Sequence, residues 1–334
     1  MRPDNRTPTL SVCLPTYNRA RYLRESLPSV LNQTYEDFEL IIGDNCSTDQ
    51  TEQIVREYAR TDNRIIYLRH DANIGAMKNG FALLNAARSK YIACFHDDDV
   101  MMPGHLASSV KVLEENPGVG FAHCGAIEID SEGKPTGLIR NGGLAADAVL
   151  PGNDYLVRLL SGFNPICAPS VVVRRSCLDL AGSPDERLPC TNDYELWMRF
   201  CLFGDVAFLA GPHLKYRVHS GNDTNNYFGN VGFFEQMYLA RRVVLEKYPD
   251  RIPNAKLLLR WVTRRSSREA LCEAYNLAAA GRYADAKEYV DFALRIDPAS
   301  CISPVMLRTQ LRRFVRETAI NRAKKLLKGF GLAS

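Results

Sequence analysis

The sequence predicts an α/β fold, with a mostly parallel central sheet flanked by helices and a C-terminal α-helical extension. Three observations carry that expectation. Short apolar runs alternate with segments of helical period over the first hundred residues. The residues that close those runs are polar and rich in carboxylates. Beyond about residue 230, helical periodicity takes over.

The elements follow in order. Residues 10–14 (LSVCL) form a short apolar run closed by Pro15, and 21–33 places Leu23, Leu27, Val30 and Leu31 at helical spacing. Residues 38–43 (FELIIG) read as a second buried strand ending at Asp44. Asp49 and Glu52 resemble a helix-opening capping pair ahead of Ile54, Val55 and Tyr58. A third strand is expected at 64–68 (RIIYL), a third helix through Met77, Phe81 and Leu84, and a fourth strand at 91–95. The middle of the chain is less regular: a helix over 104–115, a Gly-rich loop over 137–152, a strand at 169–174 (PSVVVR) and an amphipathic helix start at 192–200 (NDYELWMRF). Residues 274–298 resemble a single tetratricopeptide unit. One copy cannot build an array, so a helical hairpin packing on the main domain is expected.

Composition excludes several classes. With 334 residues, 46% apolar and 24% charged, the chain reads as a soluble globular protein. The opening MRPDNRTP carries no apolar h-region, so no secretory leader is expected. No uninterrupted apolar run approaches the roughly 20 residues that span a bilayer. The 10 cysteines lie scattered without a CxxC pair, which favours reduced thiols in a cytosol over a zinc site or a disulfide framework. No P-loop, complete dinucleotide fingerprint or GxSxG elbow occurs.

In open parallel sheets, ligands bind beyond the carboxyl ends of the strands. Pro15, Thr16, Tyr17, Asn18 and Arg19, then Asp44 with Asn45, then His96, Asp97, Asp98 and Asp99 should therefore share one edge. Carboxylates clustered at a strand end repel one another unless a cation or hydrogen-bond donors neutralise them. A divalent ion with oxygen ligands, Mg²⁺ or Mn²⁺, suits the triplet and would itself favour a substrate phosphate. A solvated acidic loop, with Asp99 capping the following helix, is the alternative.

Five ordered segments then resemble family 2 glycosyltransferases: PTYNR with SVLNQT and DNCSTD, NIGAMKNG, FHDDDVMMP, NDYELWMRF and YRVHSGNDT. They span residues 11–224, about two thirds of the chain. The resemblance implies an inverting enzyme of the GT-A type, a Rossmann-like fold. It also implies transfer from a nucleotide-diphosphate sugar, a UDP- or dTDP-sugar, to a glycan or lipid-linked acceptor, as in cell-surface polysaccharide synthesis. On that resemblance Pro15, Thr16, Tyr17 and Arg19 flank the nucleotide. Asp44 accepts from the base imide, and Asn73, Lys78 and Asp97 complete the donor site. Asp98 binds the divalent cation with His96 and with His219, which matches a histidine near the diphosphate. Asp193 matches the catalytic base, a role in which a carboxylate takes the acceptor hydroxyl proton. Helix capping is its plain structural alternative.

Two positions depart from the family pattern. His96 stands where the first Asp of D-x-D is usual, and it suits either a Mn²⁺ ligand or a hydrogen bonder behind the ion. Asn192 stands where Glu is usual ahead of the base. Neither departure removes Asp98 or Asp193, so activity is expected to survive. The rival readings are a sugar nucleotidyltransferase, which shares the sheet and a metal carboxylate, and an inactive nucleotide-sugar-binding protein in which His96 marks a decayed metal site.

The resemblance covers a domain expected at 1–225, with a nucleotide-binding half at 1–100 and an acceptor half at 101–225. A helical region at 226–334 follows. Its end, 307–334, holds eight cations against Glu317 alone, although the net charge of the chain is only +4. Residues 304–334 are expected to meet an anionic membrane surface or to pack as a solvated helix face. No nucleic-acid module accompanies them. The expected location is cytoplasmic, peripheral at the inner face of the plasma membrane.

Overall fold

The computed structural model of the chain describes residues 7–302 apart from 140–143, 163, 184, 223, 224, 226 and 228. Residues 304–334, with the expected membrane-facing tail, lie outside the described residues. The chain divides into two compact units at 222/223.

The first unit opens as anticipated. β1 (Leu10–Thr16), β2 (Phe38–Asp44), β3 (Ile65–Arg69) and β4 (Tyr91–Cys94) run parallel in the order β3-β2-β1-β4. α1 (Ala20–Leu31), α2 (Thr51–Thr61) and α3 (Ala76–Ala86) connect them. Leu10, Val12 and Leu14 alternate along β1 into one core with Leu40 and Ile42 of β2. Leu23, Leu27 and Val30 of α1 and Ile54 and Val55 of α2 cover the same face. Each such fully buried side chain contributes about 1.5–3 kcal/mol, offset by the conformational entropy of ordering it. The capping pair forms differently from the expectation. α2 starts at Thr51, and Asp49 instead accepts the amides of Thr51 and of Ala20, tying two helix starts together.

The sheet continues through a less regular half: β5 (Val100–Met101), α4 (His105–Glu115), β6 (Val119–Ile129), β7 (Pro135–Ile139), β8 (Ala148–Leu150), α5 (Gly152–Ser161), β9 (Val172–Arg174), α6 (Arg175–Ala181), α7 (Asn192–Phe200) and β10 (Asp205–Arg217). Its order beyond β4 is β9-β6-β10-β5. β9 is antiparallel to both neighbours, whereas β6 and β10 are parallel to each other. The described part of the expected 137–152 loop carries the end of β7 and all of β8, which pair with β6 and β10. β7 is nearly all exposed, so it lacks the alternation that announces a strand. β6 and β10 hide behind Gly120, Gly125, Gly211 and Pro212. Register shifts flank Pro212, where a proline is tolerated in a sheet. The strand expected at 169–174 begins only at Val172, after a short 3-10 turn at Ala168–Ser170.

The second unit is helical: α8 (Val231–Lys247), α9 (Ala255–Ala279) and α10 (Tyr283–Ile296). Small residues let α9 and α10 approach closely. Ala270, Ala274 and Ala278 pack with Ala286, Tyr289, Val290 and Ala293, and Gly281 turns the chain between the helices at φ 80°. Phe234 and Tyr238 of α8 set their rings edge-on to Tyr289 and Phe292. Among the described residues no helix is long and apolar enough to cross a membrane.

Candidate active site

The loops after β1 and β2 are stitched into one surface. Asn18 adopts φ 53° and Cys46 φ 65°, turns that free their amides and carbonyls for cross-loop bonds. The Asn18 amide donates to Ser47 Oγ at 2.9 Å, and Asn18 Oδ1 accepts the Thr48 amide at 2.8 Å. The Arg19 amide donates to Thr51 Oγ1, and the Asn45 amide to the Thr16 carbonyl. Within this surface Tyr17 is exposed, Thr16 is buried and Pro15 is half-buried. Asp44 is fully enclosed: Oδ1 accepts the Ser47 amide at 2.8 Å and Oδ2 the Tyr67 hydroxyl at 2.6 Å, with Arg69 Nε 3.5 Å away. Asn73 is exposed and accepts from Asn45 Nδ2 and from the Gly75 amide, while Lys78 stands exposed on α3.

The acidic triplet follows β4. Asp97, Asp98 and Asp99 are only 8%, 7% and 0% exposed, so the solvated-loop reading fails. Nor does Asp99 cap a helix: Gly104 precedes α4, and Asp99 Oδ1 accepts the Arg217 amide at 2.7 Å. Asp99 Oδ2 is buried and accepts no hydrogen bond among the described residues, with His96 Nδ1 at 3.5 Å. Burial, then the neighbouring Asp98 charge, push the Asp97 and Asp99 carboxyls up. Arg19 Nε, 3.7 Å from Asp97 Oδ1, pulls the other way.

β10 brings its end back to this loop. His219 Nε2 lies 3.0 Å from Asp98 Oδ2, and the Gly221 amide donates to His219 Nδ1 at 3.0 Å. A nitrogen that accepts an N–H carries no proton, so the ring proton of His219 sits on Nε2 and points at Asp98. In this state His219 orients the carboxylate; ligating an ion through Nε2 requires the other tautomer. Arg217 is the residue that sequence reasoning passed over. Buried, it donates to the carbonyls of Asp98, Asp130 and Ser131 and to Glu25, over the Tyr22 ring that also packs on His219. Its signal was adjacent: it precedes His219 by two in YRVH.

Asp193 stands in the first turn of α7, behind Asn192, and its Oδ1 accepts the following Tyr194 amide at 2.6 Å. Thr191 holds the N-cap position without a side-chain cap bond, and Asp193 accepts a first-turn amide, so its carboxylate also serves the helix start. Burial pushes its carboxyl up to about 6 against the pull of backbone amides. α7 is held rigidly beneath it. Leu196 and Trp197 are buried, Trp197 stacks on Phe121 at 6.3 Å, and Glu195 pairs with Arg199 at 2.8 Å.

Burial, then the Asp193 charge, push the thiol of Cys94 at the end of β4 up to about 12 and that of Cys190 up to about 11. Cys167 is raised by burial and by both Asp99 and Asp193, so the two carboxyls act on one thiol. His96, Asp98 and Asp99 each offer a ligand atom, all within 4.8 Å of one another. The buried Asp99 Oδ2, which accepts no hydrogen bond among the described residues, fits a small divalent ion there.

Comparison with known proteins identifies the family and the fold. The model of "Glycosyl transferase family 2" matches residues 11–155. An uncharacterized glycosyltransferase of Methanocaldococcus jannaschii is 30% identical over 232 residues, covering 67% of this chain and 74% of the relative. Among solved structures, Staphylococcus aureus TarS 1–349 in complex with UDP-GlcNAc has a TM-score of 0.58 at 21% identity, over 78% of this chain and 71% of that one. The mannosyltransferase PcManGT of Pyrobaculum calidifontis, in complex with GDP-Man and Mn²⁺, has a TM-score of 0.55 at 16% identity, over 95% of this chain and 87% of that one. The shared architecture is the GT-A type.

Proposed function

The chain belongs to glycosyl transferase family 2, and from that membership we propose that it moves a sugar, with inversion, from a nucleotide-diphosphate donor to an acceptor hydroxyl. The observation that carries the reading is the buried triplet Asp97–Asp98–Asp99, whose like charges call for a cation beside a phosphate. The residues fit Mn²⁺ or Mg²⁺, with Asp98, Asp99 and His96 as ligands. A bound divalent ion would neutralise charge developing on the departing diphosphate. The complexes of TarS with UDP-GlcNAc and of PcManGT with GDP-Man and Mn²⁺ support the same donor class.

The chain's own residues do the rest. Asp193, deprotonated above a pKa of about 6, takes the proton of the acceptor hydroxyl as that oxygen attacks the anomeric carbon from the face opposite the diphosphate. The transition state has oxocarbenium character, as in glycoside hydrolysis. Pro15, Thr16, Tyr17, Arg19, Asp44, Asn73 and Lys78 form the donor site, with Arg19 and Asp97 at its diphosphate end. His219 and Arg217 hold the Asp98–Asp99 segment in place. Residues 1–225 carry transfer in this proposal. The acceptor is a glycan or lipid-linked hydroxyl met on the cytoplasmic side of a membrane, which the cations of 304–334 favour.

Calorimetry with UDP, dTDP and GDP, with and without Mn²⁺, tests the donor site, and a panel of the corresponding sugar nucleotides tests turnover. Metal-dependent binding and metal-dependent donor hydrolysis are expected. Failure of every nucleotide to bind with metal would overturn the reading in favour of an inactive relative. Pyrophosphate release from a nucleoside triphosphate would favour a nucleotidyltransferase.

A further inference from the structure

α9 presents two different faces. In its first half Val262, Ser266 and Ser267 are buried in the second unit, while Lys256, Arg260, Arg264 and Arg268 follow one another at four-residue steps, all exposed. Leu257 and Trp261 stand among them, 65% and 41% exposed. At 100° per residue these six positions share an arc of about 140°. The acids of the helix, Glu269 and Glu273, fall outside that arc. Several other exposed cations of the unit have carboxylate partners: Arg242 with Glu246, Arg282 with Asp285, Lys287 with Asp291 and Arg295 with Glu235. The four cations of the α9 arc have no ion pair among the described residues.

A solvated helix face ordinarily mixes signs and leaves out large apolar side chains. This face does neither. We infer that the 256–268 face of α9 is a docking surface for an anionic lipid bilayer, with Leu257 and Trp261 entering the boundary between headgroups and acyl chains. The cations extend their apolar stems along the helix and set their charges among the lipid phosphates. Trp prefers that depth because its ring is apolar and its N–H is polar. A nucleic acid would satisfy the four cations equally well, but its hydrated backbone gives Leu257 nothing to bury against, so the aliphatic contact decides for lipid. The inference stands apart from the transfer reaction and from residues 304–334.

The test uses the full chain and the fact that it holds only 2 tryptophans. Trp197 is 2% exposed and supplies a constant background, so a change in emission on binding reports Trp261. Adding vesicles of phosphatidylcholine with phosphatidylglycerol should shift the emission to the blue, and phosphatidylcholine alone should not. Replacing Arg260 and Arg264 by Gln should lower the partition onto anionic vesicles roughly 25-fold, about fivefold per cation. Leu257→Ser should weaken binding without changing its salt dependence. All these positions are exposed, and circular dichroism checks that each variant folds. Sedimentation with anionic vesicles while Trp261 emission stays unmoved would overturn the inference and assign membrane contact to another segment. An emission shift with an RNA oligonucleotide but not with vesicles would overturn it in favour of nucleic acid. Sedimentation unaffected by the double Gln variant would overturn it as well.

Discussion

Asp193 carries opposing demands in one carboxyl. Burial raises it to about 6, which suits the base role proposed for it near neutral pH and makes it an expensive anion to enclose. Asp193→Asn should lower transfer roughly a hundred- to ten-thousand-fold while nucleotide affinity, read by calorimetry, stays within about twofold. The wild-type rate should rise with pH through about 6 and then level, since the base must be deprotonated; a profile flat from pH 5 to 8 would remove it from that role. Stability has the opposite sense. The folded state holds a proton on Asp193 that the unfolded chain releases near the ordinary Asp value of about 4. Stability from this group is therefore present below about pH 4 and lost as pH rises to about 6. Asp193→Asn should unfold at a higher temperature than wild type at pH 7.5 and match it near pH 4. Glu195, two residues on, behaves differently. It pairs at 2.8 Å with Arg199, both almost wholly enclosed. Glu195→Ala strands a buried guanidinium and should cost about 3–5 kcal/mol in urea unfolding.

At the scale of elements, close approach decides what sits beside the site. A Cβ on Gly43 would lie 2.6 Å from Asn79 Oδ1 and 2.7 Å from Leu83 Cδ2. β2 and α3 therefore touch through a glycine, and Asn79 Nδ2 donates to the Gly43 carbonyl at 2.7 Å. Gly43→Ala pushes α3 away from β2 immediately before Asp44. It should cost about 1–3 kcal/mol and weaken nucleotide binding more than it weakens α7-dependent steps; unchanged thermal unfolding would show that α3 yields without cost. The β1–α3 half was legible because β1 and β2 are buried on both faces and read as unbroken apolar runs. β6 and β10 were not, because glycines and Pro212 interrupt runs whose pairing is settled only by neighbours distant in sequence. The edge strand β7 gave no signal at all, being exposed on nearly every residue.

At the scale of the whole molecule, a ligand that binds only the folded site stabilises by mass action, about 2.7 kcal/mol at a hundredfold excess over Kd. The chain divides into two units, so two melting transitions are expected in calorimetry. Mn²⁺ with a nucleoside diphosphate should raise the transition of the first unit by several degrees and leave the second in place, and EDTA should reverse the shift. A nucleotide effect that survives EDTA would remove the cation from the donor site.

The local order of residues was enough to determine the strand-and-helix rhythm of the first hundred positions, the motifs that identify the family, and the presence of carboxylates at strand ends. Those signals lie within a few residues of one another, where side-chain period and composition act directly. Only the folded chain decided that Asp97, Asp98 and Asp99 are enclosed, and that Arg217 and His219 close on them from more than a hundred residues away. Burial is a property of what packs around a charge, and the return of β10 to the sheet, which no nearby residue specifies, is what encloses these.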